Sequence, residues 1–237
     1  MRVLYLLIGF LCISVVSKAS AYWMEIKGNG KINSPVTIQL IYGNIDALGI
    51  RHRQTGKELM LTGAFKLSLL SPGGNKTVLK IYLKGDCWEA NFIPQEKGTY
   101  RILGLNDTHP VVDRSASGGE NILPIDYLCS QYVVDAEKGN AGALQFLDVT
   151  TTQKDNVIRV KAYNNGKLAQ RDTKLRVFNP ENWEKELSID ENGEAVFSVT
   201  MKGMYVIRED YIEPKPGNYK GVAYTSIRYR CNYCLFM

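Results

Sequence analysis

Apolar and polar residues alternate with a period of two along most of this chain, in short segments separated by glycine, proline, asparagine or aspartate. In residues 35–42, Val36, Ile38, Leu40 and Tyr42 share one face while Thr37 and Gln39 share the other, the pattern of a strand with one buried side. Segments 65–70 and 78–83 flank Ser71-Pro72-Gly73-Gly74-Asn75 and predict an antiparallel pair. Segment 88–93 points Trp88, Ala90 and Phe92 inward, and Lys97-Gly98-Thr99-Tyr100 leads into another strand at 101–105. No stretch carries the 3.6-residue period of an amphipathic helix of three turns or more.

The second half repeats the pattern, with strands predicted at 144–149, 157–163, 174–178, 186–189, 195–200, 204–208 and 221–229. Asn164-Asn165-Gly166 and Asp190-Glu191-Asn192-Gly193 carry the Asn-Gly pair that tolerates positive φ, so both predict tight hairpins, the latter joining 186–189 to 195–200. Between the halves, residues 106–126 lose all periodicity and contain two prolines and a Gly-Gly pair. A connection of that length is functional or mobile. It is the predicted binding loop, with Asp107, His109, Asp113, Arg114 and Glu120 as its candidate contacts. Residues 127–134 read as the closing strand of a first domain and 135–141 as a polar linker. The expected fold is all-β: two tandem immunoglobulin-like or transthyretin-like β-sandwiches, at 22–139 and 140–237.

Composition changes this picture at the N-terminus. Residues 1–21 combine Arg2, an apolar run from Val3 to Val16, and Ala19 and Ala21, the marks of a secretory signal peptide with an A-x-A exit. The mature chain is therefore expected to start at Tyr22, to be periplasmic or secreted, and to carry no transmembrane segment. Losing Arg2 and Lys18 lowers the formal charge from +5 to +3, and the remaining basic residues are scattered, so no nucleic-acid partner is expected. Four cysteines remain: Cys87, Cys129, Cys231 and Cys234. They allow three fully paired connectivities. The preferred expectation pairs Cys231 with Cys234 and Cys87 with Cys129, the first requiring a local turn because residues three apart on a strand face opposite ways. Buried free thiols are the alternative.

The order Asn165-Gly166-Lys167-Leu168-Ala169, then Lys174 to Phe178, Trp183, Asp190-Glu191-Asn192-Gly193-Glu194-Ala195-Val196-Phe197 and Gly203-Met204-Tyr205-Val206 resembles the NikM-like family of periplasmic two-domain β-sandwich proteins. The resemblance covers the last hundred residues clearly and the first domain in outline. It implies a link to nickel or cobalt uptake, a divalent transition metal as cofactor, and a metal site at the mature N-terminus. The family places a histidine there; this chain has Tyr22, with His109 as a second candidate ligand.

No G-x-S-x-G, H-E-x-x-H or phosphate-cradling glycine loop is present, and Asp190 and Glu191 flank a turn, so no catalytic residue is expected. Trp88 and Trp183 are candidate sugar platforms, although the alternating strand around Trp88 argues for core. The expected function is a non-enzymatic periplasmic or secreted binding or accessory protein for an envelope protein or small ligand. The alternative is a cell-surface adhesion or carbohydrate-binding module.

Overall fold

Short alternating strands bury their apolar faces only against a second layer, and this chain stacks three. A computed structural model describes residues 19–46, 48–135 and 142–237. The first half contains β1 (Ala19–Lys27), β2 (Val36–Ile45), β3 (Arg51–Arg53), a short helix α1 (Lys57–Thr62), β4 (Lys66–Leu70), β5 (Lys76–Leu79), β6 (Tyr82–Lys84), β7 (Cys87–Phe92), β8 (Gly98–Asn106) and β9 (Ile122–Val134). The second contains β10 (Leu147–Lys154), β11 (Val157–Asn164), β12 (Lys167–Leu168), β13 (Lys174–Phe178), β14 (Glu184–Ser188), β15 (Ala195–Ser198), β16 (Met204–Glu213), β17 (Gly217–Tyr219), β18 (Val222–Tyr224) and β19 (Ser226–Phe236).

The fold is all-β, and its two sandwiches share one continuous middle layer. That central sheet has eight strands in the order β14-β13-β16-β19-β9-β8-β4-β5. One outer sheet is β1-β2-β7-β6 with β3 on β2, the other β10-β11-β12 with β15 on β11. Among the described residues only β19 and β9 run parallel; every other pairing is antiparallel.

Outward from that parallel seam the central sheet reads the same in both directions. Tyr100 and Ile102 on β8 belong to the core under the first outer sheet, whereas Tyr205 and Ile207 on β16 belong to the core under the second. The outer sheets therefore lie on opposite faces, as a pseudo-twofold axis along the β9–β19 seam requires. A local signature marks the repeat: Ala90-x-Phe92-x4-Lys97-Gly98-x-Tyr100 recurs as Ala195-x-Phe197-x4-Lys202-Gly203-x-Tyr205. Each copy stacks its phenylalanine on its tyrosine, with ring centroids 5.6 Å apart for Phe92–Tyr100 and 5.9 Å for Phe197–Tyr205. Gly98 (φ 130°) and Gly203 (φ 132°) share a backbone conformation in which a Cβ would stand 2.7 Å from Pro72 Cβ and 2.9 Å from Pro180 Cβ.

Several sequence expectations change. The Asp190–Gly193 turn does not make a hairpin: β14 pairs with β13 in the central sheet and β15 with β11 in the outer one. Leu187 and Ile189 must face Ala195 and Phe197 across one core, so the turn crosses between layers. Asp190 closes it, its Oδ1 accepting from Asn192 N and Glu194 N at 2.9 Å each. The tight turn at Asn165 (φ 52°) and Gly166 (φ 71°) does form, leading into the short β12. The predicted strand at 78–83 splits, β5 joining the central sheet and β6 the first outer one. Strand β9 starts at Ile122, inside the predicted loop, and Cys231-Asn-Tyr-Cys234 lies within β19 rather than beyond the last strand.

The expected domain boundary at 139/140 and signal residues 1–18 lie outside the described residues, while residues 19–21 open β1. Among the described residues no helix is long and apolar enough to cross a membrane.

Candidate binding cleft at the sandwich junction

Segments from both halves meet around an open cleft of about 750 Å³. β1 supplies Glu25, Ile26 and Lys27, the β2–β3 turn supplies Leu48 to Arg51, and the β13–β14 turn supplies Pro180 to Trp183. Met204, Phe236 and Met237 close one end. The two turns are joined directly, with Asn182 Nδ2 donating to Gly49 O.

The β13–β14 turn is rigid for a reason visible in its residues. Asn179 Oδ1 accepts from Trp183 N at 2.8 Å, Asn179 N donates to Trp183 O at 3.1 Å, and Asn182 (φ 62°) donates its N–H to Asn179 O at 2.8 Å. The backbone of Trp183 is thus fixed while its side chain is free, and the residue is 75% exposed. Trp23 and Trp88 differ: Trp23 is buried, and Trp88 packs on the first core with Nε1 donating to Leu59 O at 2.8 Å.

Arg51 forms the cationic wall. Two positions on, Arg53 is saturated by Glu25 at 2.6 Å and Asp86 at 3.0 Å, and the intervening His52 meets Asp46 at 2.7 Å. Arg51 makes no ion pair among the described residues, and its Nη2 is buried without a hydrogen-bond partner. Burial lowers its pKa below the usual arginine range, with Cys234 and Glu25 working weakly the other way. Asn182 Oδ1 is likewise buried without a partner. The cleft therefore offers an aromatic face beside a largely buried, unneutralised guanidinium.

A second charged group lies on the central sheet, but it is paired internally. Arg176 and Arg230 clamp Asp210 at 2.8 and 2.6 Å, and Arg228 faces Asp126 at 3.7 Å. Arg208 donates to Asn232 Oδ1 at 2.8 Å and stacks over Phe178; burial, and then Arg230, push its pKa down to about 9.

Four of the predicted loop side chains, Asp107, His109, Asp113 and Glu120, have partners in the loop or on its neighbours. Asp107 is paired with Lys66 at 2.8 Å, and His109 Nδ1 lies 2.7 Å from Pro110 O. Asp113 Oδ1 accepts from Ser115 N and Oγ, Arg114 N donates to Asn121 Oδ1, and Glu120 accepts from Thr225 Oγ1. Tyr22 is the fourth residue of β1, 7% exposed, with its ring against Tyr42 and Phe65; burial raises its phenol pKa well above the usual value. Among the described residues no three His, Cys, Asp or Glu side chains gather as a metal-ligand group.

Neither expected disulfide forms. The chain stays extended through β19, so Cys231 enters the second core and Cys234 the first; Cys87 and Cys129 are likewise divided between the two cores. Sequence reasoning also missed Arg51 and Asn182, whose lack of partners is a tertiary property. A tryptophan in the polar Pro180-Glu181-Asn182-Trp183 turn, outside any alternating segment, was the available signal for the cleft.

No family model matches the chain, and no curated protein matches it. Similar solved structures include Salmonella alpha-2-macroglobulin reacted with methylamine, at 10% identity and a TM-score of 0.26 over 95% of this chain. Another is a tetra-tandem repeat in the extending region of a large adhesion protein, at 9% identity and a TM-score of 0.23 over 91% of this chain. The chain spans 16% of the first and 49% of the second, and likenesses at this level carry no argument about ligand or activity.

Proposed function

We propose that this chain is a non-enzymatic, exported binding protein that holds an acidic carbohydrate in the junction cleft. The observation that carries the reading is the pairing of a solvent-facing Trp183, carried on a rigid turn, with the unneutralised Arg51 in one cleft. A pyranose ring presents an apolar face that stacks on indole, and a carboxylate on the same sugar matches a guanidinium fork. The mixture of aromatic and polar lining is that of a small-ligand site. The signal-like pattern of residues 1–21 supports export. No observation at Tyr22 or His109 favours the nickel or cobalt reading over this one.

Calorimetric titration with hexuronate oligosaccharides and with neutral hexose oligosaccharides of equal length tests the proposal. Binding of the uronate series at least about tenfold tighter than the neutral series, with a blue shift of tryptophan emission, is expected. Absence of heat with both series, or binding that Trp183→Ala leaves unchanged, removes it.

A further inference from the structure

Cys129 and Cys231 are fully buried on the two strands that form the parallel seam, and their Sγ atoms lie 3.4 Å apart. Cys231 pairs in register with Tyr127 and Cys129 with Tyr233, so the cysteines are diagonal neighbours on one face of the sheet. The other two cysteines among the described residues have different partners: Cys87 donates to Lys84 O at 3.4 Å, and Cys234 Sγ accepts from Met24 N at 3.2 Å.

We infer that Cys129 and Cys231 are a disulfide-forming pair that staples the two sandwiches together at their seam. A bond requires the sulfurs to approach by about 1.4 Å, to the usual 2.05 Å, which rotation of the two side chains supplies in part. The bridge spans 102 residues of sequence, an interval that contains the whole second outer sheet. A crosslink over so long an interval constrains the unfolded chain strongly. It also fixes β9 to β19, and with them the halves that supply the walls of the cleft.

The step needs an oxidant, here a small-molecule or protein disulfide. One cysteine thiolate attacks it and releases a thiol, leaving a mixed disulfide. The second thiolate then displaces the remaining thiol, so two cysteines are oxidised, one disulfide is reduced, and both protons pass to the departing thiols. Both sulfurs are sealed from solvent in the folded chain, so the exchange takes place during folding.

Refolding the reduced protein in a glutathione redox buffer, alkylating under denaturing conditions and mapping the peptides tests the pair. A Cys129–Cys231 linked peptide with Cys87 and Cys234 alkylated is expected, as is a thermal midpoint about 5–15 °C above that of the same sample in reductant. A Cys87→Ser/Cys234→Ser variant should oxidise with neither Cys129 nor Cys231 left free and keep that rise. Alkylation of both Cys129 and Cys231 in the wild type, a bridge from either of them to another cysteine, or Cys129 and Cys231 both free in the double variant overturns the inference.

Discussion

Tyr205 makes with Met201 the same two hydrogen bonds that Tyr100 makes with Glu96, 105 positions earlier in the chain. In each case the phenol oxygen accepts from the backbone N–H four residues back and donates to the carbonyl of that residue, at 3.1 Å for Tyr100 and 3.2 Å for Tyr205. Each tyrosine thereby fixes the bend that feeds the chain into a central strand beside the seam. Both rings are buried, so removing the hydroxyl leaves partly buried backbone groups unpaired. Tyr100→Phe and Tyr205→Phe should each cost about 1–3 kcal/mol in urea unfolding, with similar values for the two sites. A large cost at one site and none at the other would deny that the two corners are equivalent.

The ion pair between Arg101 on β8 and Asp148 on β10 measures 2.8 Å and is almost wholly shut off from water. Asp148 also accepts from Leu144 N at 2.7 Å and Val149 N at 2.9 Å, so it organises the entry to β10 as well as neutralising the arginine. Arg101 Nε and Nη1 have no other partner. Asp148→Ala should therefore cost about 3–5 kcal/mol, because it strands a buried cation. Replacing both residues by apolar ones, Arg101→Met with Asp148→Leu, should recover much of that loss in the same unfolding assay, short of the part owed to the two backbone bonds.

Glu209 gives the fold a pH dependence in the neutral range. It lies on β16, 2% exposed, with Oε2 unpaired; burial, then the charges of Asp148 and Asp210, push its pKa up to about 8. An unfolded glutamate ionises near pH ~4.3. Between those values the folded chain binds more protons than the unfolded one, so stability falls as pH rises, by at most about 1.4 kcal/mol per pH unit, and levels off above pH 8. Glu209→Gln should flatten this decline and be more stable than wild type at pH 8. An unchanged slope in urea titrations from pH 5 to 8 would assign the dependence to other groups.

Which parts of this architecture were legible depended on whether the information was local. Val36 to Leu40 alternates because one side of β2 is buried, and Asn165-Gly166 turns because both residues take positive φ; neither needs a distant partner. Pairing is different. Ser226 sits beside Ile122 across 104 positions, and alternation along β19 says which residues face inward without saying which strand lies alongside. The same gap explains the Asp190 turn, where the pattern of Leu187, Ile189, Ala195 and Phe197 fits a hairpin and a layer crossing equally well. It explains Cys231 and Cys234 too, since both faces of β19 are covered and both thiols are buried. The shared Lys-Gly-x-Tyr segments were readable, and they would have disclosed the repeat had the halves been aligned on them.

Arg51 separates a ligand role from a structural one, because the two make opposite predictions for stability. Its guanidinium is largely buried, faces no carboxylate within ion-pair distance among the described residues, and leaves Nη2 without a partner. A side chain in that state destabilises the empty protein, so Arg51→Met, which keeps the apolar stem and drops the charge, should leave the thermal midpoint unchanged or raise it. The same change should weaken a hexuronate oligosaccharide by about 10- to 100-fold while sparing a neutral one of equal length, since only the carboxylate loses its partner. Trp183→Ala should weaken both sugars alike, because stacking is indifferent to charge, and at 75% exposure its loss should barely move the midpoint. A fall in the midpoint of Arg51→Met with no change in sugar discrimination would make Arg51 a structural residue and leave the cleft without its acidic specificity.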